Sequence, residues 1–194
     1  MKEFDNITEL LKQIMRYVGN GYKYISVSKI PENKFYKKHK IIEKLTKKYE
    51  LNLTTWQRQY KRRKGIANHI GLLFRDTIII LKTEGSSNIN DNSFKNVLNT
   101  PISFKYISVI LYKDERGKLT YKLNKEQIKT IKANLGLFIK NRNGTSFHKE
   151  LKKLYNLHRV INYRGFMLQV KTILNFIKEE QKKHGTKFQV MKFF

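Results

Sequence analysis

Arg58, Arg62 and Arg63 fall within six positions of one another, and Gln57, Lys61 and Lys64 lie among and beside them. The arginine fork can hold guanine O6/N7 or a phosphate bidentately, and a glutamine amide can pair with adenine. These residue types therefore suit a surface that reads a nucleic-acid groove. On a helical wheel Trp56 and Tyr60 are i and i+4 on one side, while Arg58, Lys61 and Arg62 point the opposite way. The expectation is that the aromatic side packs inward, and that the cations and Gln57 face out. The plainer alternative is a solvated basic face that touches only phosphates.

A second run places Lys34, Lys37, Lys38, Lys40, Lys44, Lys47 and Lys48 among Phe35, Tyr36 and Tyr49. Cations interleaved with aromatics suit a groove that tracks a strand, with phosphates on lysine and bases stacked on rings. At helical spacing the same aromatics also read as core. The lysines contribute affinity in either case, because neutralising phosphate needs charge more than geometry. The candidate interface is thus Lys37, Lys38 and Lys40 together with Gln57, Arg58, Lys61, Arg62, Arg63 and Lys64, extended by Lys149, Lys152, Lys153, Arg159 and Arg164.

Signals for catalysis are thinner. His39, His69, His148, His158 and His184 show no metal-ligand spacing and read as surface or capping residues. A two-metal nuclease needs clustered carboxylates, for which Asp76, Glu84 and the Asp114-Glu115 pair are the candidates. Tyr163-Arg164 is a tyrosine directly followed by an arginine. No glycine-rich phosphate loop is present, and no cofactor is implied.

The whole chain agrees with a polyanionic partner. Among 194 residues, 41 Lys and Arg face 15 Asp and Glu, a formal charge of +26, while 40% hydrophobic residues can still fill a core. The absence of cysteine excludes disulfide frameworks, thiolate metal sites and thiol nucleophiles. No apolar run reaches membrane-spanning length and the first residues lack a signal-peptide pattern, so a cytoplasmic protein without membrane contact is expected. The sequons at Asn6, Asn52 and Asn143 then read as unused.

The elements that must position these residues follow from periodicity. Ile7, Leu11, Ile14, Met15 and Val18 form one helical stripe ending at Gly19-Asn20-Gly21, and Tyr22 to Ser28 alternates as a strand closed by Pro31. Lys34 to Glu50 reads as a helix, followed after a short turn by another from Thr54 or Thr55 to Lys64, stopped by Gly65. His69 to Phe74 and Thr77 to Thr83 form a hairpin around Arg75-Asp76, and Pro101 to Tyr112 and Lys118 to Leu123 a second. Asn124 caps a helix carrying Ile128, Ile131, Leu135 and Phe138. A shorter helix carries Leu151, Leu154 and Tyr155, and a last one Val170, Ile173, Leu174 and Ile177. The class is α+β, with an antiparallel sheet in the middle. The organisation is 1–85 as a nucleic-acid-binding region, 86–100 as a polar loop, and 101–194 as a hairpin plus helices, with or without a boundary between them.

The order helix, strand, helix, turn, helix, hairpin over 1–85 resembles that of winged helix-turn-helix DNA-binding proteins. The resemblance rests on element order and a basic third helix, and covers less than half the chain. It implies that the third helix enters the major groove while the hairpin touches the backbone alongside. One feature departs from it: Leu72-Leu73-Phe74 and Ile78-Ile79-Ile80-Leu81 are apolar on both faces, which suits the buried centre of a larger sheet. The function expected is nucleic-acid binding, DNA before RNA, in an initiator or accessory factor of a mobile element, plasmid or phage, acting within a larger nucleoprotein complex. The alternatives are an RNA-binding component of a ribonucleoprotein and a metal-dependent nuclease.

Overall fold

The computed structural model describes residues 1–89, 92–104, 107–191 and 193. The chain is α+β and divides into two units, Met1–Ile102 and Ser103–Phe194. In the first, β1 (Lys2–Phe4) leads into α1 (Ile7–Gly19), whose N-cap Asn6 accepts a 2.8 Å bond from the Thr8 amide. The expected stripe is the buried one: Leu10, Leu11, Ile14 and Val18 face inward. After β2 (Tyr24–Lys29), Pro31 opens a 3-10 segment, Glu32–Lys37, so the helix expected from Lys34 begins only at α2 (Lys38–Tyr49). Glu50, in the left-handed region, closes α2. The helix α3 (Thr55–Arg63) follows, then the hairpin β3 (His69–Phe74) and β4 (Thr77–Lys82).

The sheet order is β1-β3-β4-β2-β5, with β5 at Lys95–Asn96. The hairpin is therefore central: β1 runs parallel along β3, and β2 runs antiparallel along β4. Its register places Leu72 opposite Ile79 and Leu73 opposite Ile78, and both pairs are buried although they point to opposite faces. One face, with Leu73, Ile78 and Ile80, meets Tyr49, Leu51 and the apolar side of α2. This two-sided burial is why the hairpin is apolar throughout. The polar segment 86–100 belongs to the first unit and supplies β5 to the edge of β2. Asn90 and Asp91, within that expected loop, lie outside the described residues, as do positions 105 and 106 of the expected second hairpin.

A three-stranded sheet, in the second unit but for its first residue Ile102, has the order β6 (Ile102–Phe104), β7 (Val109–Lys113) and β8 (Leu119–Leu123). Three helices follow: α4 (Lys125–Lys140), capped by Asn124 as expected, α5 (Gly144–Val160), longer than expected, and α6 (Arg164–His184). The start of α6 is fastened to β8 by side chains acting on backbone. The Gln169 amide accepts from Leu123 N at 2.8 Å and donates to Leu123 O at 3.0 Å, while Thr120 Oγ1 accepts from Gly165 N at 2.9 Å. That approach needs glycine, because a Cβ on residue 165 would stand 2.6 Å from Tyr121 O and 2.7 Å from the Tyr112 hydroxyl. Gly165→Ala is accordingly expected to cost roughly 1 to 3 kcal/mol by overpacking. The reading is a lower urea midpoint for this unit. An unchanged midpoint would mean that α6 can lift from β8 without loss.

Candidate nucleic-acid interface

The helix α3 begins in a reciprocal capping box. Thr54 Oγ1 accepts from Gln57 N at 3.3 Å, and Gln57 Oε1 accepts from Thr54 N at 2.8 Å. Gln57, expected as a base reader, therefore spends its carbonyl oxygen on starting its own helix. Gly65, at φ +68, ends the helix.

The wheel is turned the opposite way from the expected one. Arg58 points inward, donating from Nε to Leu53 O at 3.0 Å, from Nη1 to His69 O at 2.9 Å and from Nη2 to Leu51 O at 2.9 Å. Its own carbonyl accepts from Asn68 Nδ2 at 3.0 Å. Lys61 pairs with Glu50, and Arg62 donates to Asn20 O at 3.2 Å. The surroundings of α3 explain the reversal: they present chain turns and strand ends, whose carbonyls need donors, where an indole would leave acceptors buried and unmet.

The aromatics face water instead. Trp56 is 73% exposed and Tyr60 51%, and their rings are stacked at 6.2 Å between centroids with 16° between planes. Arg63 and Lys64 are exposed on the same side, with Lys64 Nζ 6.0 Å from the Tyr60 ring. The run before α2 behaves alike: Phe35 and Tyr36 are exposed, with Lys38 5.8 Å from the first ring and Lys37 5.0 Å from the second. Of its aromatics only Tyr49 is core. Lys38 is bound to Glu3 at 2.6 Å, whereas Lys37 and Lys40 stand exposed. The expected residues thus separate into an outward set, Lys37, Lys40, Arg63 and Lys64, and a set engaged in holding the fold, Lys38, Gln57, Arg58, Lys61 and Arg62. What wheel reasoning missed is the Trp56/Tyr60 ledge. A signal was available in Arg58 and Arg62, which share one helical face four residues apart just after a turn rich in unbonded carbonyls.

The candidates for chemistry are dispersed. Asp76 is paired with Lys29 at 3.2 Å and Glu84 with Lys23 at 3.5 Å, while Asp114 accepts from Arg164 at 3.2 Å and Arg116 at 3.4 Å. Among the described residues no three His, Asp or Glu gather as metal ligands. Burial pushes the Tyr163 phenol up, the wrong direction for a nucleophile. Two histidines depart from the surface or capping role expected of them, since His69 and His158 are buried. Among the described residues no helix is long and apolar enough to cross a membrane.

No family model, curated protein or solved structure matches this chain.

Two outcomes follow from this geometry. Arg58→Ala is expected to lower stability by roughly 2 to 4 kcal/mol, because three carbonyls lose a charged donor. Trp56→Ala is expected to stay within about 0.5 kcal/mol of the parent, as an exposed side chain should. Chemical denaturation of both variants checks the assignment, and the opposite ranking would restore the inward-facing indole.

His69 makes stability depend on pH on the acid side. Burial first, then the charges of Lys82 and Lys61, lower its pKa from 6.5 to about 4, against a smaller opposing effect of Glu50. The unfolded chain therefore takes up this proton before the folded one does. The stabilisation is complete above pH 6.5 and is lost as pH falls towards about 4, by at most about 3 kcal/mol. His69→Phe is expected to flatten that part of a stability-against-pH curve.

Proposed function

We propose that the protein binds nucleic acid, DNA in the first instance, and that α3 engages unpaired bases through the outward stack of Trp56 and Tyr60. The single observation that carries this reading is the mutually stacked, solvent-facing pair on a chain of charge +26. Such a pair offers a flat face to a base of any identity, while Arg63, Lys64, Lys37 and Lys40 supply phosphate charge nearby. The adjacent strands β2, β4 and β3, with α1, α2 and α3, support kinship in arrangement with winged helix-turn-helix proteins. Duplex groove reading is the weaker use of that arrangement here, because Arg58 and Arg62 bind carbonyls and the hairpin is enclosed by β1 and β2. A cytoplasmic initiator or accessory factor of a mobile element, plasmid or phage, working within a nucleoprotein complex, would use such a hold on opened strands. An RNA-binding role is the second reading, favoured by the same ledge, which takes unpaired RNA bases equally well.

Trp56 is the sole tryptophan, so its fluorescence reports on the ledge alone. Single-stranded oligonucleotide is expected to quench it, with an affinity that falls linearly on a log-log plot against salt. Trp56→Ala and Tyr60→Ala should each weaken binding by about 1 to 3 kcal/mol. Charge reversal at Lys178, Lys182 and Lys183 should cost less than reversal at Lys37, Arg63 and Lys64. Equal losses from the two triple variants, or duplex bound more tightly than single strand, would overturn the ledge reading. Competition between single-stranded DNA and structured RNA separates the two partners.

A further inference from the structure

Helices α4 and α6 of the second unit pack against each other, with Ile131, Leu135 and Ile139 of the first and Val170, Ile173 and Ile177 of the second buried. Beside these residues an open groove of about 930 Å³ remains between the two helices. Its apolar lining is Ile128, Ala133, Gly136, Leu137 and Phe176, and Leu137 is 53% exposed. Gly136 widens it at mid-length. Its φ is not positive, and a Cβ there would stand 3.4 Å from Phe176 Cζ, an ordinary contact. Neither backbone conformation nor crowding requires this glycine, although glycine is a poor helix former. What its missing side chain provides is space in the groove.

The charge around that space has one sign. Lys125, Lys129, Lys132 and Lys140 line it along α4, and Lys183 lines it from α6. Among the described residues the carboxylate in the lining is that of Glu180, which meets Lys183 at 3.8 Å and His184 at 3.5 Å. Lys132 lies 5.3 Å from the Phe176 ring. Lys125, Lys129 and Lys140 are exposed and, among the described residues, in no ion pair. Glu126 and Glu179 are exposed on the same helices and do not line the groove. The positions of this unit outside the described residues, Lys105, Tyr106, Lys192 and Phe194, bring no acidic side chain.

We propose that this groove docks an acidic amphipathic helix of a partner protein, its apolar face on Gly136, Leu137 and Phe176 and its carboxylates beside Lys125, Lys129 and Lys140. The walls are helices whose backbone groups are already bonded, so an occupant must satisfy its own, as a helix does. Lys125 to Lys140 spans about 22 Å, the length of about fifteen helical residues. A second copy of this chain is disfavoured, because each copy brings a charge of +26. Docking here is independent of strand binding by the ledge.

The test uses the full chain and a designed probe, a fluorescein-labelled, end-capped peptide of Leu, Ala and Glu of about 18 residues, long enough to be helical in water. Leucines repeat at i, i+3, i+4 and i+7, with glutamates flanking them. Fluorescence anisotropy is expected to show saturable binding, weakened by about tenfold or more when the same residues are shuffled out of register. A peptide with lysine in place of glutamate should not bind. Leu137→Glu, an exposed change that leaves the fold intact by circular dichroism, should weaken the acidic peptide by about tenfold, as should the pair Lys129→Glu, Lys140→Glu. Gly136→Leu should do the same by filling the groove. Lys178 and Lys182 leave α6 about 200° and 240° round from Phe176, so Lys178→Glu, Lys182→Glu makes the same charge change away from the groove. That control should stay within about twofold of the parent.

Equal losses from the two double variants would mean diffuse attraction, and would overturn the proposal. So would a shuffled peptide that binds as well, or the absence of saturable binding. Should Gly136→Leu not fold, Leu137→Glu and the two double variants decide. Displacement of the peptide by single-stranded oligonucleotide from a Trp56→Ala protein would give the groove to nucleic acid instead. A dimer seen in sedimentation and abolished by Leu137→Glu would give it to a second copy. Trp56→Ala should leave peptide affinity unchanged while weakening strand binding, so failure at the groove and failure at the ledge are told apart.

Discussion

The guanidinium of Arg58 is the constraint from which the geometry of the first unit follows. Its three bonds, all between 2.9 and 3.0 Å, join the turn after α2, through Leu51 and Leu53, to the first residue of β3, through His69. Asn68 returns a bond to the Arg58 carbonyl, so the helix and the strand are tied in both directions. Arginine suits this role because its donors lie in one plane and splay towards separate acceptors, whereas lysine offers a single point. No carboxylate is needed, since carbonyl dipoles replace the water that the cation gives up. Once this fork is seated, the phase of α3 is set, and Trp56 and Tyr60 have only solvent to face.

The same interaction marks the limit of what the sequence made legible. Helix α1, the hairpin of β3 and β4, the start of α3 at Thr54 and the cap at Asn124 could all be read from local signals, because their causes lie within a few residues. Two-sided burial of the hairpin was also visible, in the unbroken run Ile78-Ile79-Ile80-Leu81. The orientation of α3 was not, because a helical wheel ranks faces by hydrophobicity and carries no information about which neighbours bring bare carbonyls. Strand β1, only three residues long, has no period to detect and gains its meaning from parallel register with Leu72 to Phe74. The 3-10 segment before α2 displaced a helix start for a similar reason, since Pro31 and the contacts that follow it favour a tighter turn.

Charge has to be recounted once the fold is known. In the first unit Glu3, Glu50, Asp76 and Glu84 each meet a lysine, respectively Lys38, Lys61, Lys29 and Lys23. Exposed pairs of this kind add little stability, yet they decide which cations remain for a partner. In the second unit the nearly buried Asp114 carboxylate at the β7–β8 turn pairs with the more exposed Arg116 and Arg164, so Arg164 also serves the fold. A sequence count of basic residues therefore overstates the usable footprint, and a cluster of arginines is a poorer guide to it than lysines with no acid in reach.

An exposed tryptophan is costly to keep in a soluble surface, and the way this one is held bears on what it can do. Its ring already lies nearly parallel to that of Tyr60, itself beside the Lys64 ammonium, while most of its surface still meets water. A base arriving at the free face adds a layer to a stack that exists beforehand, and little side-chain entropy remains to be lost. Stacking of this kind is indifferent to sequence, because every base has a π-face. On the proposed reading, selectivity then arises away from the ledge, in features that recognise more than a flat ring.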